Sequence, residues 1–399
     1  MIRCLTTDFN ASKDNLDKLF ACNRISAMIW NKCLELARNY RLDNDGAWIQ
    51  KGDLQKELKN IYPLHSQSVQ AVTDRYCDAR EGAKAARDAG FNTNYPWRHK
   101  HVYPTRWKQG VKVVGKQILL PLGIWNHHKL GYIKIEVPKT TIDFLQDKKI
   151  KIVDLIWNNR LKLAICFEDN VTVKPCNGNM YAGIDLGEIH SIAAASEKGH
   201  AIIVTGRKLR SINRFRNKKL VEISKKQSRC QKYSRQWKKL QKAKRYILNK
   251  CNAQVRDATH KISRAFVDWA ADHKIKHIYV GDVEGVQRNT SRRNKSKKIC
   301  SRKTNQKLSN WNFGLLFRYL EYKLKLKGIE IEKICEAYST QTCPMCGQRH
   351  KPKGKNYSCK CGYTAHRDIH GAMNILSLGL YKDIRYISDI KRIKYLRSA

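Results

Sequence analysis

The sequence predicts an α/β protein, with a mixed-sheet domain in its second half and, before it, a strand-rich domain that carries a helical module. Three observations predict this. Apolar residues recur at helical spacing between residues 14 and 90. They then alternate in short runs between 111 and 168, the period of half-buried strands. After a turn-rich stretch at 174–179, three short apolar runs joined by tight turns give way to alternating helices and strands.

The first ten residues read as a short strand. From about Asp14 to Tyr40 a helix is traced by Leu16, Leu19, Phe20, Ile29 and Leu36. A second helix starts at Ser66, a residue type suited to an N-cap, and stops at Gly90. Val69, Val72, Tyr76, Ala79, Ala83 and Ala86 run along it as one stripe. Strands follow at 111–120, 131–138, 149–157 and 161–168, the last with Leu161, Leu163, Ile165 and Phe167 on one face. Asn158-Asn159 signals a hairpin between the last two. These strands suit a β-barrel or small sheet into which the helical module is inserted, and the N-terminal strand could belong to it. Pro175, Asn177 and Gly178 mark a linker. Beyond it, Tyr181–Leu186, His190–Ser196 and Ala201–Thr205 read as a three-stranded meander. A polar helical stretch covers 207–273, followed by a strand at 277–281, a basic loop, a helix at 306–327, a strand at 329–335, a cysteine cluster and a helix from Asp368 to Leu378. With the insertions set aside, the order β-β-β-α-β-α-β-α is that of an RNase H-like fold. A generic α/β domain with an antiparallel flap shares it.

The 399 residues include 79 Lys and Arg against 34 Asp and Glu, a formal charge of +45. A chain so charged repels itself when folded, which makes a polyanion part of its expected working state. Hydrophobic residues make up 42%, enough for real cores, and the length suits two or three domains. No stretch approaches the ~20 apolar residues of a membrane span. The N-terminus does not read as a signal peptide. Of 14 cysteines, ten are scattered between Cys4 and Cys335, and four are clustered as Cys343, Cys346, Cys359 and Cys361. A disulfide framework belongs to small secreted chains, so reduced thiols in a cytoplasm and one metal site are expected.

Two carboxylates stand where chemistry is expected in an open α/β sheet, at the carboxyl ends of strands. Asp185 ends the first strand in Gly183-Ile184-Asp185-Leu186-Gly187, and Asp368 opens the last helix in His366-Arg367-Asp368-Ile369-His370-Gly371-Ala372-Met373-Asn374-Ile375. Taken singly, each could be an ordinary turn or helix-start residue. Phosphodiester cleavage by two cations needs such side chains converging on ions ~3.5–4 Å apart. Cys343-x2-Cys346 and Cys359-x-Cys361 flank a 12-residue loop. Four thiolates suit a closed, structural Zn²⁺ site, with His350 or His366 as substitutes if the short second pair distorts it.

The Gly-Ile-Asp-Leu-Gly motif, the late cysteine pairs, the lead-in Glu336 to Cys343, and His-Arg-Asp followed by Gly-Ala-Met-Asn-Ile together resemble TnpB, the RNA-guided nuclease family of insertion sequences, and the compact type V CRISPR effectors related to it. The resemblance covers nearly the whole chain. It implies a wedge strand at 1–12, a helical recognition module at 13–100 and a wedge β-barrel at 101–178. It implies a RuvC-like nuclease at 179–336 and 366–380, interrupted by a zinc ribbon at 337–365, and a basic tail at 381–399. It also implies a third carboxylate, a Glu ending the fourth strand, but Gly281 stands there. Asp282 is next door yet should face the other way, and Glu284 falls in the loop. Glu336 ends the neighbouring strand, about 4.8 Å away, and is expected to complete a two-Mg²⁺ site with Asp185 and Asp368. Asp282 and Glu284 are the alternates.

Residues 207–250 hold 18 Lys and Arg against Glu222 alone, and 288–303 add eight more with no acid. A basic helical face is often merely solvated, but the first stretch is interrupted by Tyr233, Trp237 and Tyr246, ring types that stack on bases or pack on a core. Nucleic-acid contacts are therefore expected at Arg214, Arg216, Lys218, Lys219, Lys225, Lys226, Tyr233, Arg235, Arg292, Arg293, Lys297 and Lys298. A second basic-aromatic patch comprises Trp97, Arg98, Lys100, Trp107 and Lys108, although aromatics at a module junction can also be core. The resemblance implies a guide RNA and double-stranded DNA as partners and a monomer or asymmetric dimer. The function expected is RNA-guided cleavage of DNA beside a short recognised motif. A nuclease-dead, RNA-guided repressor and an RNA-independent transposition accessory are the alternatives.

Overall fold

The computed structural model describes residues 2–397 except 159, 174, 177, 285–300 and 353. The described chain divides into two units, Met1–Val171 and Thr172–Ala399.

In the first unit, β1 (Ile2–Thr7) leads into α1 (Lys13–Asp43), whose N-cap Ser12 accepts from the Asn15 amide. Next come α2 (Lys51–Glu57), α3 (Ser66–Asp88), β2 (Thr105–Trp107), β3 (Lys112–Val114), β4 (Gln117–Pro121), β5 (Ile124–Trp125) and β6 (His128–Lys129). β7 (Tyr132–Glu136), α4 (Lys139–Leu145), β8 (Lys149–Asn158) and β9 (Arg160–Glu168) complete it. The strands form a four-stranded sheet, β1-β9-β8-β2, and a three-stranded sheet, β3-β4-β7, bridged at Asn10–Glu136. The strands expected to form a barrel thus fall into these two sheets and a separate β5-β6 pair, because β3, β4 and β7 pair with one another through local connections and not with the long strands. The N-terminal strand does join this unit, antiparallel to β9. The α3 stripe departs from expectation halfway along. Val69, Val72, Tyr76 and Ala83 are buried, but Ala79 is exposed and Arg80 is buried in its stead. Arg80 donates to the Ile49 carbonyl and lies over the Trp48 ring, which satisfies its charge.

The second unit is built on a six-stranded sheet. Its elements are β10 (Met180–Asp185), β11 (His190–Ser196), β12 (His200–Thr205), α5 (Arg207–Gln227), α6 (Arg235–Asp272), β13 (Ile275–Gly281), α7 (Arg302–Ser309) and α8 (Phe313–Lys325). Then follow β14 (Glu330–Ile334), the hairpin β15 (Asn356–Ser358) and β16 (Thr364–His366), α9 (Arg367–Tyr381) and β17 (Arg392–Arg397). The strand order is β14-β13-β10-β11-β12-β17. The β10–β11–β12 meander is antiparallel, and β13, β14 and β17 add in parallel. One face packs Ile262, Phe266 and Trp269 of α6 and Leu316, Leu320 and Leu324 of α8. The other packs Ile369, Ala372, Ile375 and Leu376 of α9. Two expectations change. The long polar helix breaks into α5 and α6 around Tyr233, which takes a positive φ of 68°, and Ser234 caps the second helix. The basic tail is partly a sheet strand, since β17 pairs along the whole of β12.

α9 lies against the backbone of β10, and Gly183 makes that possible. A Cβ there would collide with the Ala372 carbonyl oxygen and come within 2.6 Å of the Leu376 nitrogen. Neither atom can rotate away. Gly183→Ala is expected to cost about 3 kcal/mol, measured by urea denaturation, because overpacking against backbone has no cheap relaxation.

Candidate active site

The register aligns a row of residues across the α9 face of the sheet. Asp185 lies opposite Ala193, Ala193 opposite Ile203, and Ile203 opposite Tyr395. On the other side Ile184 pairs with Val280, which puts Gly281 beside Asp185, and Gly281 pairs with Ile334. Side chains alternate along a strand, so Asp282 faces away from this row. There it sits 4.0 Å from the Lys333 ammonium, which also approaches Glu284 at 3.5 Å. Neither alternate points at Asp185.

Glu336 does. It follows β14 by two residues, and a Cβ built on Gly281 would collide with its carboxylate and lie 3.0 Å from its Cβ. The space above Gly281, where a side chain on β13 would stand, is thus filled by a carboxylate from the next strand. On the far side of Asp185, Asp368 projects from the first turn of α9. Its Oδ2 is 2.6 Å from His190 Nδ1, and its Oδ1 accepts from Arg367 Nε at 3.2 Å. Gly371, one turn on, leaves room for the central acid, since a Cβ there would be 2.7 Å from Asp185 Oδ2. Asp185, His190, Thr340, Gln341, Arg367 and Asp368 line a cleft of about 420 Å³.

Electrostatics single out Asp185. Burial, then the charges of Glu336 and Asp368, push its carboxyl up to about 7. Glu336 is raised by burial and by Asp282. Burial also pushes Asp368 up, but the His190 hydrogen bond and the Arg367 guanidinium outweigh it and hold that carboxyl below the ordinary range. A carboxyl raised in this way between two other carboxylates makes a site that favours a cation. With no Mg²⁺ bound, an acid with a raised folded pKa stabilises fully only below its unfolded pKa. That contribution is lost as pH rises through about 7. Wild-type protein in Mg²⁺-free buffer without chelator, its zinc retained, should therefore lose thermal stability relative to Asp185→Asn between about pH 4 and pH 7, read by calorimetry across that window.

The four clustered cysteines form the one group among the described residues whose ligand atoms lie within 4.8 Å of one another. Cys343 and Cys361 sulfurs are 3.6 Å apart, and Cys346 and Cys359 sulfurs 3.5 Å. Zn–S bonds of about 2.3 Å in a tetrahedron need sulfurs about 3.8 Å apart, so the thiolates fit Zn²⁺. His350 is instead bound to the Ser358 carbonyl at 2.7 Å, and neither it nor His366 belongs to the group.

The basic residues divide. Trp107 is fully buried and donates to the Pro121 carbonyl, so it is core and offers no face to a base. Lys108 is drawn to Asp74 at 2.6 Å. Trp97 remains exposed with Arg98 over its ring, and Lys100 is strapped to α1 through Asn31. On α5, Arg214, Lys218, Lys225 and Lys226 are exposed, as are Tyr233 and Arg235 beyond it. Arg216 is tied to Asn310, and Lys219 pairs with Glu222. Arg207, Arg210, Arg214, Lys218 and Lys307 line a groove of about 880 Å³ that shares Glu188 and Ile189 with the carboxylate cleft. Arg292, Arg293, Lys297 and Lys298 lie outside the described residues. Sequence reasoning missed His190, Arg367 and Tyr395. A lone His at a strand start and a Tyr in a basic tail carry no signal until the sheet register joins them.

Comparison with known proteins follows this geometry. Residues 164–287 match the OrfB_IS605 family, described as "Probable transposase", and residues 313–375 match the "Cas12f1-like, TNB domain" family. A TnpB-like protein of Methanocaldococcus jannaschii is 26% identical over 51% of this chain and 70% of its own length. The Escherichia coli protein InsQ, named a "Putative RNA-guided DNA endonuclease", is 29% identical over 69% of this chain and 65% of its own. The CRISPR-associated endodeoxyribonuclease Cas12f1 of Sulfoacidibacillus thermotolerans is 30% identical over 31% of this chain and 27% of its own. A cryo-EM structure of a Cas12f1-sgRNA-target DNA complex superimposes with a TM-score of 0.61 at 12% identity, covering 91% of this chain and 83% of that one, a likeness of fold. Two segments of the chain thus match the OrfB_IS605 and Cas12f1-like TNB families, and the chain as a whole resembles TnpB-like proteins. Among the described residues, no helix is long and apolar enough to cross a membrane.

Proposed function

We propose that the protein is an RNA-guided, Mg²⁺-dependent DNA endonuclease of the RuvC type, with Asp185, Glu336 and Asp368 as its metal ligands. The observation that carries this reading is Glu336 above Gly281. Without it the chain would have two carboxylates, and a nuclease-dead repressor would be the better reading. Bound Mg²⁺ supplies a Lewis acid and a water of lowered pKa for phosphodiester hydrolysis. The residues do the rest. Asp185 would hold the cation together with Glu336 and Asp368, Arg367 and His190 hold Asp368 in one orientation, and the buried apolar α9 face behind the row keeps the carboxylates from turning away. The basic groove beside the cleft suits a nucleic-acid strand leading to it. Base pairing by a guide RNA would supply sequence selection, and the protein would read a short flanking motif.

The test is cleavage. Protein co-expressed with its native flanking DNA is purified with its RNA and given duplex matching that RNA. Cutting that needs both Mg²⁺ and the RNA, and is lost in Asp185→Ala, supports the proposal. Tight DNA binding after RNase treatment, with no cutting, favours the RNA-independent accessory. A second measurement addresses the groove. Arg214→Ala with Lys218→Ala should weaken nucleic-acid binding and lower the slope of log K against log salt by about 2, one for each lost phosphate contact, while Asp185→Ala leaves that slope unchanged.

A further inference from the structure

We propose that Tyr395, through His190, positions the Asp368 carboxylate, so that the C-terminal strand β17 is a working part of the site. This rests on the reading of Asp368 as a metal ligand. His190 Nδ1 is 2.6 Å from Asp368 Oδ2, and its Nε2 is 3.2 Å from the Tyr395 hydroxyl. The rings of His190 and Tyr395 meet edge to face, 5.7 Å apart at 90°. When Nδ1–H donates to the carboxylate, Nε2 is an acceptor and the Tyr395 hydroxyl donates to it. The phenol thereby fixes both the tautomer and the plane of the imidazole. Arg367 holds the other oxygen of Asp368, so the carboxylate is gripped at both ends.

The sheet register explains how a residue 205 positions away reaches this point. β17 lies parallel to β12 with Tyr395 opposite Ile203, in the row that runs through Ala193 to Asp185. A shift of β17 by one residue would send Tyr395 to the opposite face. The small Ala193 side chain leaves the row open between the two ends. Leu396 anchors the strand by packing on the core of the other face. The alternation Tyr395-in, Leu396-down thus gives the edge strand one register and hands its phenol to His190.

The test measures cation binding directly, with cleavage as a second readout. The full chain with its RNA is titrated with Mn²⁺, and the free ion is followed by electron paramagnetic resonance. Tyr395→Phe keeps the ring and removes the hydroxyl; His190→Ala removes the link; His190→Asn returns an amide donor near the Nδ1 position. His190→Ala is expected to weaken Mn²⁺ binding about 10- to 100-fold, the usual cost of losing an outer partner of a metal ligand. Tyr395→Phe should weaken it less, His190→Asn should recover much of the loss, and Tyr395→Phe should add nothing in the His190→Ala background. Unchanged Mn²⁺ binding in both Tyr395→Phe and His190→Ala overturns the proposal while leaving the nuclease reading intact. A wild type with no Mn²⁺ site sensitive to Asp185→Ala overturns the nuclease reading and this inference with it.

Discussion

Glu336→Ala is expected to abolish the proposed metal-dependent cleavage, and moving that carboxylate onto Gly281 to bring part of it back. The first outcome follows from position. Glu336 fills the space a side chain on Gly281 would occupy, and its charge is the largest one acting on Asp185. Its loss would remove a proposed ligand, so the fall should exceed the roughly 10- to 100-fold typical of outer partners. The second outcome is sharper, because it separates a ligand from a structural residue. In the double variant Glu336→Gly with Gly281→Glu, the new side chain leaves β13 from the same row as Asp185. Its other obstacle, Ile375 Cδ1 at 2.9 Å from the new Cβ, is the end of a side chain that can rotate. Cleavage of RNA-matched duplex in Mg²⁺ should be undetectable for Glu336→Ala and measurable for the double variant. Wild-type cleavage by Glu336→Ala sinks the assignment. Gly281→Ala alone should also reduce cleavage, since its Cβ displaces the Glu336 carboxylate without removing it.

The logic that points to Glu336 is legible in the sequence, and the reason is periodicity. Strand alternation places Gly281 and Asp282 on opposite faces, and parallel neighbours carry equivalent rows, so a carboxylate just past β14 can serve a site on β13. The six-stranded sheet is legible for the same reason, from apolar runs of strand length separated by glycine turns. What escaped is what depends on partners far away in sequence. β17 reads as a basic tail because only Leu396 of its side chains packs on a core, and its role comes from the edge of β12 that it covers. Trp107 looked like a nucleic-acid contact because it stands among Arg and Lys, yet its indole fills the core and bonds Pro121. Arg80 reversed the helical stripe at Ala79, because an arginine that finds a carbonyl and an aromatic ring can be buried in place of an alanine. Charge composition points to a partner class; it does not say which cations face outward.

Removing zinc should silence the proposed nuclease activity although no cysteine touches the carboxylates. The TNB segment has little to hold it otherwise: a hairpin of two three-residue strands, β15 and β16, is marginal alone. Metal binding to such a knuckle is therefore folding energy. The knuckle is also the support for the turn that carries Asp368. β16 runs without a break into α9, and the Arg367 amide donates to the Lys355 carbonyl. Tyr357 of β15 stacks on His370, with centroids 3.8 Å apart. Asn374, buried in α9, donates to the carbonyls of Ser339 and Thr342 at 2.7 and 2.8 Å, just before Cys343. Unfolding the knuckle would release those anchors, exposing the first turn of α9 and loosening Asp368 against Asp185. Protein purified without chelator should carry one zinc per chain by elemental analysis. Cys343→Ser, at a fully buried ligand, should lose it. Limited proteolysis should then cut between 343 and 366, and cleavage should fall by more than about 100-fold, while β10 to β14 keep their protection in hydrogen exchange. A zinc content far below one in active protein would show that the thiolates hold the knuckle unaided. Full cleavage by a zinc-free Cys343→Ser variant would show that Asp368 is held by the sheet face alone. In the proposed coupling, Zn²⁺ orders the turn, the turn presents the carboxylate, and His190 and Arg367 set its final angle.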